Sequence, residues 1–111
     1  MRAVMFDPGQ MTARLQLERP VETADGQGGA AVSFEPVCLV WACIEPLGEI
    51  REERAGAEIV TVTHRIWLRF RTGLAAGMRL RKGERIFAIR SLRDPDEGGR
   101  YLVCLCEEDG R

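Results

Sequence analysis

Apolar and polar positions alternate with a period of two residues over most of this chain, the pattern of strands that bury one face and leave the other wet. The clearest stretch is 58–71, where Val60, Val62, His64, Ile66, Leu68 and Phe70 fall on one side and Thr61, Thr63, Arg65, Trp67, Arg69 and Arg71 on the other. It predicts a long central strand. Upstream, Ala13, Leu15 and Leu17 alternate with Thr12, Arg14, Gln16 and Glu18, a half-buried strand expected to stop at Pro20. Residues 31–44 are rich in Val, Phe, Cys and Trp and read as a second long strand. One of its faces carries Val32, Phe34, Cys38, Val40, Ala42 and Ile44, while Pro36 demands a bulge or an edge position within it. Three shorter strands are expected at 78–81, 85–92 and 101–106.

Turn chemistry separates these segments. Asp25, Gly26, Gly28 and Gly29 supply a flexible hairpin-like connection, Lys82-Gly83-Glu84 a tight turn, and Asp94-Pro95-Asp96-Glu97-Gly98-Gly99 a further turn cluster. From Pro46 to Ala57 the period-two signal is lost, and Glu49, Ile50, Arg51, Glu52, Glu53, Arg54 and Ala55 have the composition of a short helix or an ordered loop. Residues 1–11, with Asp7, Pro8 and Gly9, read as an N-terminal arm. The expected architecture is therefore all-β: a single domain over 1–111, a small six-stranded antiparallel β-barrel or sandwich, with one short helix or loop insertion at 46–57 between the second and third long strands. Closure into a barrel would remove exposed strand edges.

Composition narrows the class without changing this picture. A chain of 111 residues is one core's worth of polypeptide, able to bury roughly two-thirds of its unfolded surface. With 45% hydrophobic and 30% charged residues it is an ordinary globular sequence, and its net charge of -1 gives no overall basicity to argue for nucleic acid, though a local patch remains open. Lys82 is the single lysine among the basic residues and asparagine is absent, a bias that a GC-rich genome explains, with arginine's bidentate contacts as the alternative. The first ten residues carry Arg2 but no apolar signal-peptide core, and no apolar run approaches the about 20 residues needed to span a bilayer. Synthesis in the cytoplasm is expected, with Cys38, Cys43, Cys104 and Cys106 as reduced thiols.

Candidate chemistry is sparse. Neither cysteine pair has zinc-knuckle spacing, and Cys104 and Cys106, two apart on a strand, share a face as small apolar packers. His64 is the only histidine and sits on the apolar face of its strand, where a neutral, hydrogen-bonded ring is expected. No nucleophile elbow, phosphate loop or dinucleotide fingerprint is present, so the sequence offers no catalytic residues, no metal site and no cofactor. The polar face of the central strand carries Arg65, Trp67, Arg69 and, farther on, Arg71. Such a stripe can meet phosphates with the indole as a stacking platform, lie in solvent, or pair with acidic groups of a neighbouring subunit. Glu45, Glu49, Glu52, Glu53 and Glu58 supply an acidic counterpart, and opposite patches on one chain suit a heterologous, ring-forming interface.

Several segments, taken in order, resemble the head-tail joining (head closure, stopper or connector) family of long-tailed bacteriophages and gene transfer agents. Leu15, Leu17, Arg19 and Pro20 match the family's opening strand, in which Glu18 replaces the usual glutamine. Asp25, Gly28 and Gly29 resemble its D-x-x-G-G loop; Val40-Trp41-Ala42 with Ile44-Glu45-Pro46-Leu47-Gly48 its V-W-A-x-I-x-P-L-x-G segment; and Thr63-His64-Arg65 with Arg69-Phe70-Arg71 its T-H-x-I-x-x-R-Y. Met78-Arg79-Leu80 and Asp94-Pro95-Asp96-Glu97 continue the series, which runs from about residue 9 to 107. The resemblance implies a structural subunit of the virion neck, without catalysis or cofactor. It would form a homo-oligomeric ring between the portal or adaptor protein and the tail terminator or tail tube, retain the packaged double-stranded DNA that passes through, and dock the tail, with no membrane involved. On that reading Glu49, Arg51, Glu52, Glu53 and Arg54 belong to a channel or inter-subunit loop, and Arg65, Trp67, Arg69 and Arg71 to an interface face. The alternatives are another neck component, an adaptor or tail terminator, or a small β-barrel nucleic-acid-binding module.

Overall fold

In the computed structural model, which describes residues 6–109, the period-two segments become six antiparallel strands. They are β1 (Ala13–Ala24), β2 (Ala30–Ala55), β3 (Glu58–Arg69), β4 (Arg79–Lys82), β5 (Arg85–Arg93) and β6 (Tyr101–Glu108). The order around the sheet is β1-β2-β3-β6-β5-β4, and β4 returns to β1 through Gln16–Arg81, Leu17–Leu80 and Glu18–Arg79, closing a barrel. The described residues contain no α-helix, only a short 3-10 turn at Pro8–Gln10, which Asp7 caps by accepting the Gly9 N–H at 2.8 Å.

Alternation explains the core directly. Leu15 and Leu17 of β1, Val40 and Ala42 of β2, Ile66 and Leu68 of β3, Leu80 of β4, Phe87 and Ile89 of β5, and Leu102, Cys104 and Cys106 of β6 all point inward and are buried together. Phe87 is the largest fully buried side chain. A second, smaller cluster of Val62, Val103 and Leu105 is covered by Leu47, Val60 and Trp67. Trp67 is in turn covered by Phe6, whose ring stacks on the indole at 4.6 Å and 5° and meets Tyr101 edge-on at 5.1 Å. Phe6 thus straps the start of the described chain to the outer side of β3 and β6, and residues 1–5 of the expected arm lie outside the described residues.

Three local expectations change. β1 does not stop at Pro20; it runs to Ala24, paired with β2 as far as Ala24–Ala30. β4 pairs with β1 only through Glu18, so beyond that point β1 has a free edge, where a residue without an N–H is tolerated. Pro36 does sit at a bulge, with Val37 as the extra residue between Leu17–Cys38 and Glu18–Pro36. Past this bulge the second strand leaves the barrel, which is why Val32 is exposed rather than in the core. The third change concerns 46–57. The segment is neither helix nor irregular loop: β2 continues to Ala55 and pairs with β3 from Arg51–Val62 to Ala55–Glu58. Leu47 to Ile50 form a wide bulge opposite Thr63, and Gly56-Ala57 close a two-residue hairpin loop with positive φ at Gly56 alone, the pattern of a type II′ turn.

Two hairpin arms therefore leave the barrel at opposite ends of β2. One is the β1–β2 arm over 19–35, whose tip is organised by Asp25 accepting the N–H groups of Gln27 and Gly29. The other is the β2–β3 hairpin over 51–62. They stretch the molecule to 52 Å along its long axis against 29 and 26 Å across it.

Candidate functional surfaces

The first surface is the β2–β3 hairpin. Cross-strand pairing puts Arg51, Glu53, Val60 and Val62 on one face and Glu52, Arg54, Ile59 and Thr61 on the other. Val62 is fully buried and Val60 packs beside it, so the first face turns toward the barrel. The second faces away, with Ile59 64% exposed; Ile50, in the bulge, is 67% exposed. Of the residues assigned to this segment from sequence, Glu49, Arg51, Glu52 and Arg54 are exposed and Glu53 is half-buried. From Glu49 to Glu58 the segment carries four carboxylates and two guanidinia. It is a projecting, mostly acidic element with unburied isoleucines.

The second surface is the outer wall of β4, β1 and β2. Trp41, opposite Arg14, and Leu39, opposite Gln16, stand at its centre, with Arg81 opposite Gln16 on the far side. Leu39 and Trp41 are 53% and 52% exposed. Arg14 lies over the Trp41 ring at 5.1 Å, a cation–π contact that covers one indole face. An open groove runs from Leu39 and Trp41 to Phe70, bordered by Arg69 and Arg71. Lys82 and Arg81 border a second groove on the other side of Leu39. No carboxylate lines either one.

The four residues read from sequence as one face are divided by the structure. Arg65 donates to Glu45 at 3.2 Å and Trp67 Nε1–H donates to the same carboxylate at 3.2 Å. With Phe6 stacked on the indole, this pair works within the chain. Arg69 is exposed at the end of β3. Arg71 lies beyond the strand and donates to Cys38 Sγ at 2.9 Å. Patterning alone does not mark Leu39 and Trp41 as a surface: they lie on the face opposite Cys38, Val40, Ala42 and Ile44, and on a strand whose inward residues are apolar, outward apolar residues add no second periodic signal.

Buried charges sit at the ends of the barrel rather than in a catalytic cleft. Glu18, 3% exposed, receives Arg79 Nε at 2.6 Å and the Gln16 amide, with Arg81 at 3.8 Å. Burial alone would raise its pKa, but the hydrogen bonds from Arg79 and Gln16 and the two guanidinium charges outweigh it and hold the carboxyl below its usual value. Glu108, also buried, takes a bidentate pair from Arg85 at 2.8 and 3.0 Å, and His64 Nε2 lies 3.7 Å from it. The Arg85 pKa rises, chiefly through that hydrogen bond. The His64 ring meets Phe87 edge-on at 5.1 Å and Thr63 Oγ1 at 2.8 Å. The four cysteines are free, and burial raises Cys104 to about 12 and Cys106 well above the ordinary thiol value. Among the described residues no group of three or more His, Cys, Asp or Glu side chains is placed to hold a metal ion, and no helix is long and apolar enough to cross a membrane.

Fold and surfaces together define a small closed antiparallel barrel with two hairpin arms and one basic, apolar outer wall. The chain belongs to the phage head completion protein family, which it matches over residues 6–109. Its fold is similar to a chain in the virion of a native gene transfer agent particle, at 29% identity and a TM-score of 0.67, covering 87% of this chain and 94% of that one. It is also similar to the solution structure of protein SF1141 from Shigella flexneri 2a, at 24% identity and a TM-score of 0.68 over 96% and 99% of the two chains, a likeness of fold. A search of the curated proteins gave no match. The family expected from the ordered motifs is the one found, and the chain is accordingly a structural protein of the phage head-tail type.

Proposed function

We propose that the chain is a head-tail connector of the head closure or stopper kind. Copies of it form a ring between the portal or its adaptor and the tail, retain packaged double-stranded DNA, and present the face on which the tail docks. Its work is structural and needs no cofactor. The observation that carries this reading is the placing of two hairpin arms at opposite ends of β2 on a barrel that has closed its own edges. A closed barrel cannot grow by edge pairing, so contacts with neighbours fall to the arms and the outer wall. The segment 46–57, with Glu49, Arg51, Glu52, Glu53 and Arg54, is the channel or inter-subunit element, and an acidic element of this kind does not grip a sliding polyanion. The gene transfer agent chain of similar fold, found in a virion, supports a place in the particle.

The experiment trims the arm. Arg51 and Val62 face each other, so replacing Glu52–Thr61 by a two-residue Asn-Gly turn shortens the hairpin without opening the barrel. The trimmed subunit is expected to fold and remain soluble, while particles carrying it contain DNA-filled heads that leak or lack tails. A normal count of tailed, filled particles by electron microscopy refutes the role. An adaptor or a tail terminator, the other neck positions open to this fold, would show a different first effect: heads failing at the portal, or tails of abnormal length. A nucleic-acid module is favoured by one observation, the arginines grouped around Trp41. It predicts salt-dependent DNA binding by the isolated chain that is lost when Arg14, Arg69 and Arg71 become alanine, with the hairpin trim silent in particles.

A further inference from the structure

The basic rim around Leu39 and Trp41 is not matched within the chain. On other parts of the barrel Arg79 meets Glu18, Arg85 meets Glu108 and Arg90 meets Glu107. Arg14, Arg69, Arg71 and Lys82 form no ion pair with any described residue, and no carboxylate lines the grooves they border. Arg71 donates to the Cys38 sulfur at 2.9 Å, a weak acceptor, and its Nε is buried with no acceptor. The demand of these cations for carboxylates therefore falls on a partner.

Shape adds a second constraint. The β2–β3 ladder ends at Ala42–Leu68, and past it the strands part, so the backbone of β2 from Val37 to Trp41 has no ladder partner on that side. The groove left there, about 300 Å³, reaches down to the buried Val40 and Leu68 between the exposed Leu39, Trp41 and Phe70. An extended segment suits it, bringing backbone groups to the open edge and an apolar side chain to the groove. Nucleic-acid bases fit poorly, because the Arg14 guanidinium already lies over the Trp41 ring. A second copy also lacks the complement: on its β2–β3 hairpin Ile59 faces Arg54, and on its β1–β2 arm Val32 faces a single carboxylate, Glu22. We propose that this groove docks an extended, acidic segment of another protein of the particle, with an apolar side chain seated between Leu39, Trp41 and Phe70 and carboxylates beside it on Arg69 and Arg71. The inference rests on the connector reading, which sets other proteins against this subunit, and names the chemistry of one such contact.

The test places p-benzoylphenylalanine at Phe70 of the full chain, where it keeps the native ring, or at the exposed Leu39, and irradiates purified particles. The expected product is an adduct with a different particle protein, attached in a peptide where Asp or Glu is adjacent or next but one to an apolar residue. Arg69→Glu should lower the adduct yield about tenfold and Arg69→Lys should leave it within about twofold, because Arg69 is exposed and its contribution here is its charge. An adduct with DNA, with a second copy of the chain or with a peptide lacking such carboxylates overturns the docking and leaves the connector reading in place. So does an equal yield from Arg69→Glu and Arg69→Lys, or no adduct at either position in particles that contain the chain. Absence of the chain from purified particles overturns both.

Discussion

Trp67 decides whether the arginine-bearing face of β3 serves partners or the chain itself. Its indole stacks on Phe6 at 4.6 Å, donates to Glu45 at 3.2 Å, and covers Val62, Val103 and Leu105. Removing a fully buried tryptophan costs about 3–5 kcal/mol, so the half-buried share here is roughly 2 kcal/mol. The aromatic pair adds about 0.5–1.5 kcal/mol. Loss of a half-exposed hydrogen bond to a carboxylate adds about another 0.5 kcal/mol. Trp67→Ala is therefore expected to lower stability by about 3 kcal/mol, which for a domain of this size is a fall in Tm of roughly 12–24 °C. Phe6→Ala removes only the ring contacts, and the double variant should show a coupling of about 0.5–1.5 kcal/mol between the two positions. Urea unfolding followed by far-UV circular dichroism measures all four corners of the cycle. Zero coupling, or an undiminished Tm in Trp67→Ala, would refute the strap and return Trp67 to the partner surface.

Other expectations follow from buried groups and turns. Glu18 has a folded-state pKa below its unfolded value of about 4.5, so its stabilising share is present above that pH and is lost as pH falls through the lowered folded value. Glu18→Gln should cost about 1–2 kcal/mol at pH 7 by weakening a charge-assisted bond to Arg79, with the gap to wild type closing as pH falls through the lowered folded-state value, as read by chemical denaturation across pH. Four thiols should react under denaturing conditions, while in the folded chain Cys104 and Cys106 should stay silent at pH 8 because burial holds Cys104 at about 12. Two thiols or stoichiometric zinc on denaturation would overturn the reading of four free cysteines. Gly56→Val places a β-branched residue at φ +64 in the hairpin turn and should fray that arm alone, seen as faster amide exchange over 51–62 with the barrel unchanged.

The barrel was legible because alternation is a one-strand property: in β1, β3 and β5 the inward apolar residues recur at every second position, while β6 is an apolar run buried on both faces from Tyr101 to Cys106. The arms were legible only in part: most of 19–35 is exposed on both faces and has no reason to alternate, and in the 51–62 hairpin only the β3 half, with Val60 and Val62 packed on Val103 and Leu105, keeps the alternation. At 51–55 the chain Arg-Glu-Glu-Arg-Ala has the composition of a helix, and what makes it a strand is pairing with 58–62, a tertiary choice that overrides propensity. The available signal was Gly56 ahead of Ala57 between two charged, extended segments, a Gly-first two-residue turn. The interface face was legible only in part. Arg65 and Trp67 are neighbours of Glu45 through the β2–β3 register, and the register depends on a bulge opposite Thr63 that no local pattern announces.

The length of β2 joins these observations. Barrel closure uses only its middle, where Cys38, Val40, Ala42 and Ile44 face the core; the residues before the Pro36 bulge and after the one at 47–50 belong to arms. Two-stranded arms are marginal on their own, so both are held out by a strand whose centre is locked in a closed sheet. Position and stability are thereby separated. The barrel supplies the folding free energy, and substitutions at Val32, Ile50 and Ile59, all exposed, leave it almost untouched. Large apolar side chains kept at sites where they stabilise nothing within the subunit are intelligible as contacts between subunits. On the proposed ring the bulges would set where such contacts begin, because they end the barrel register and release the strand to its arms.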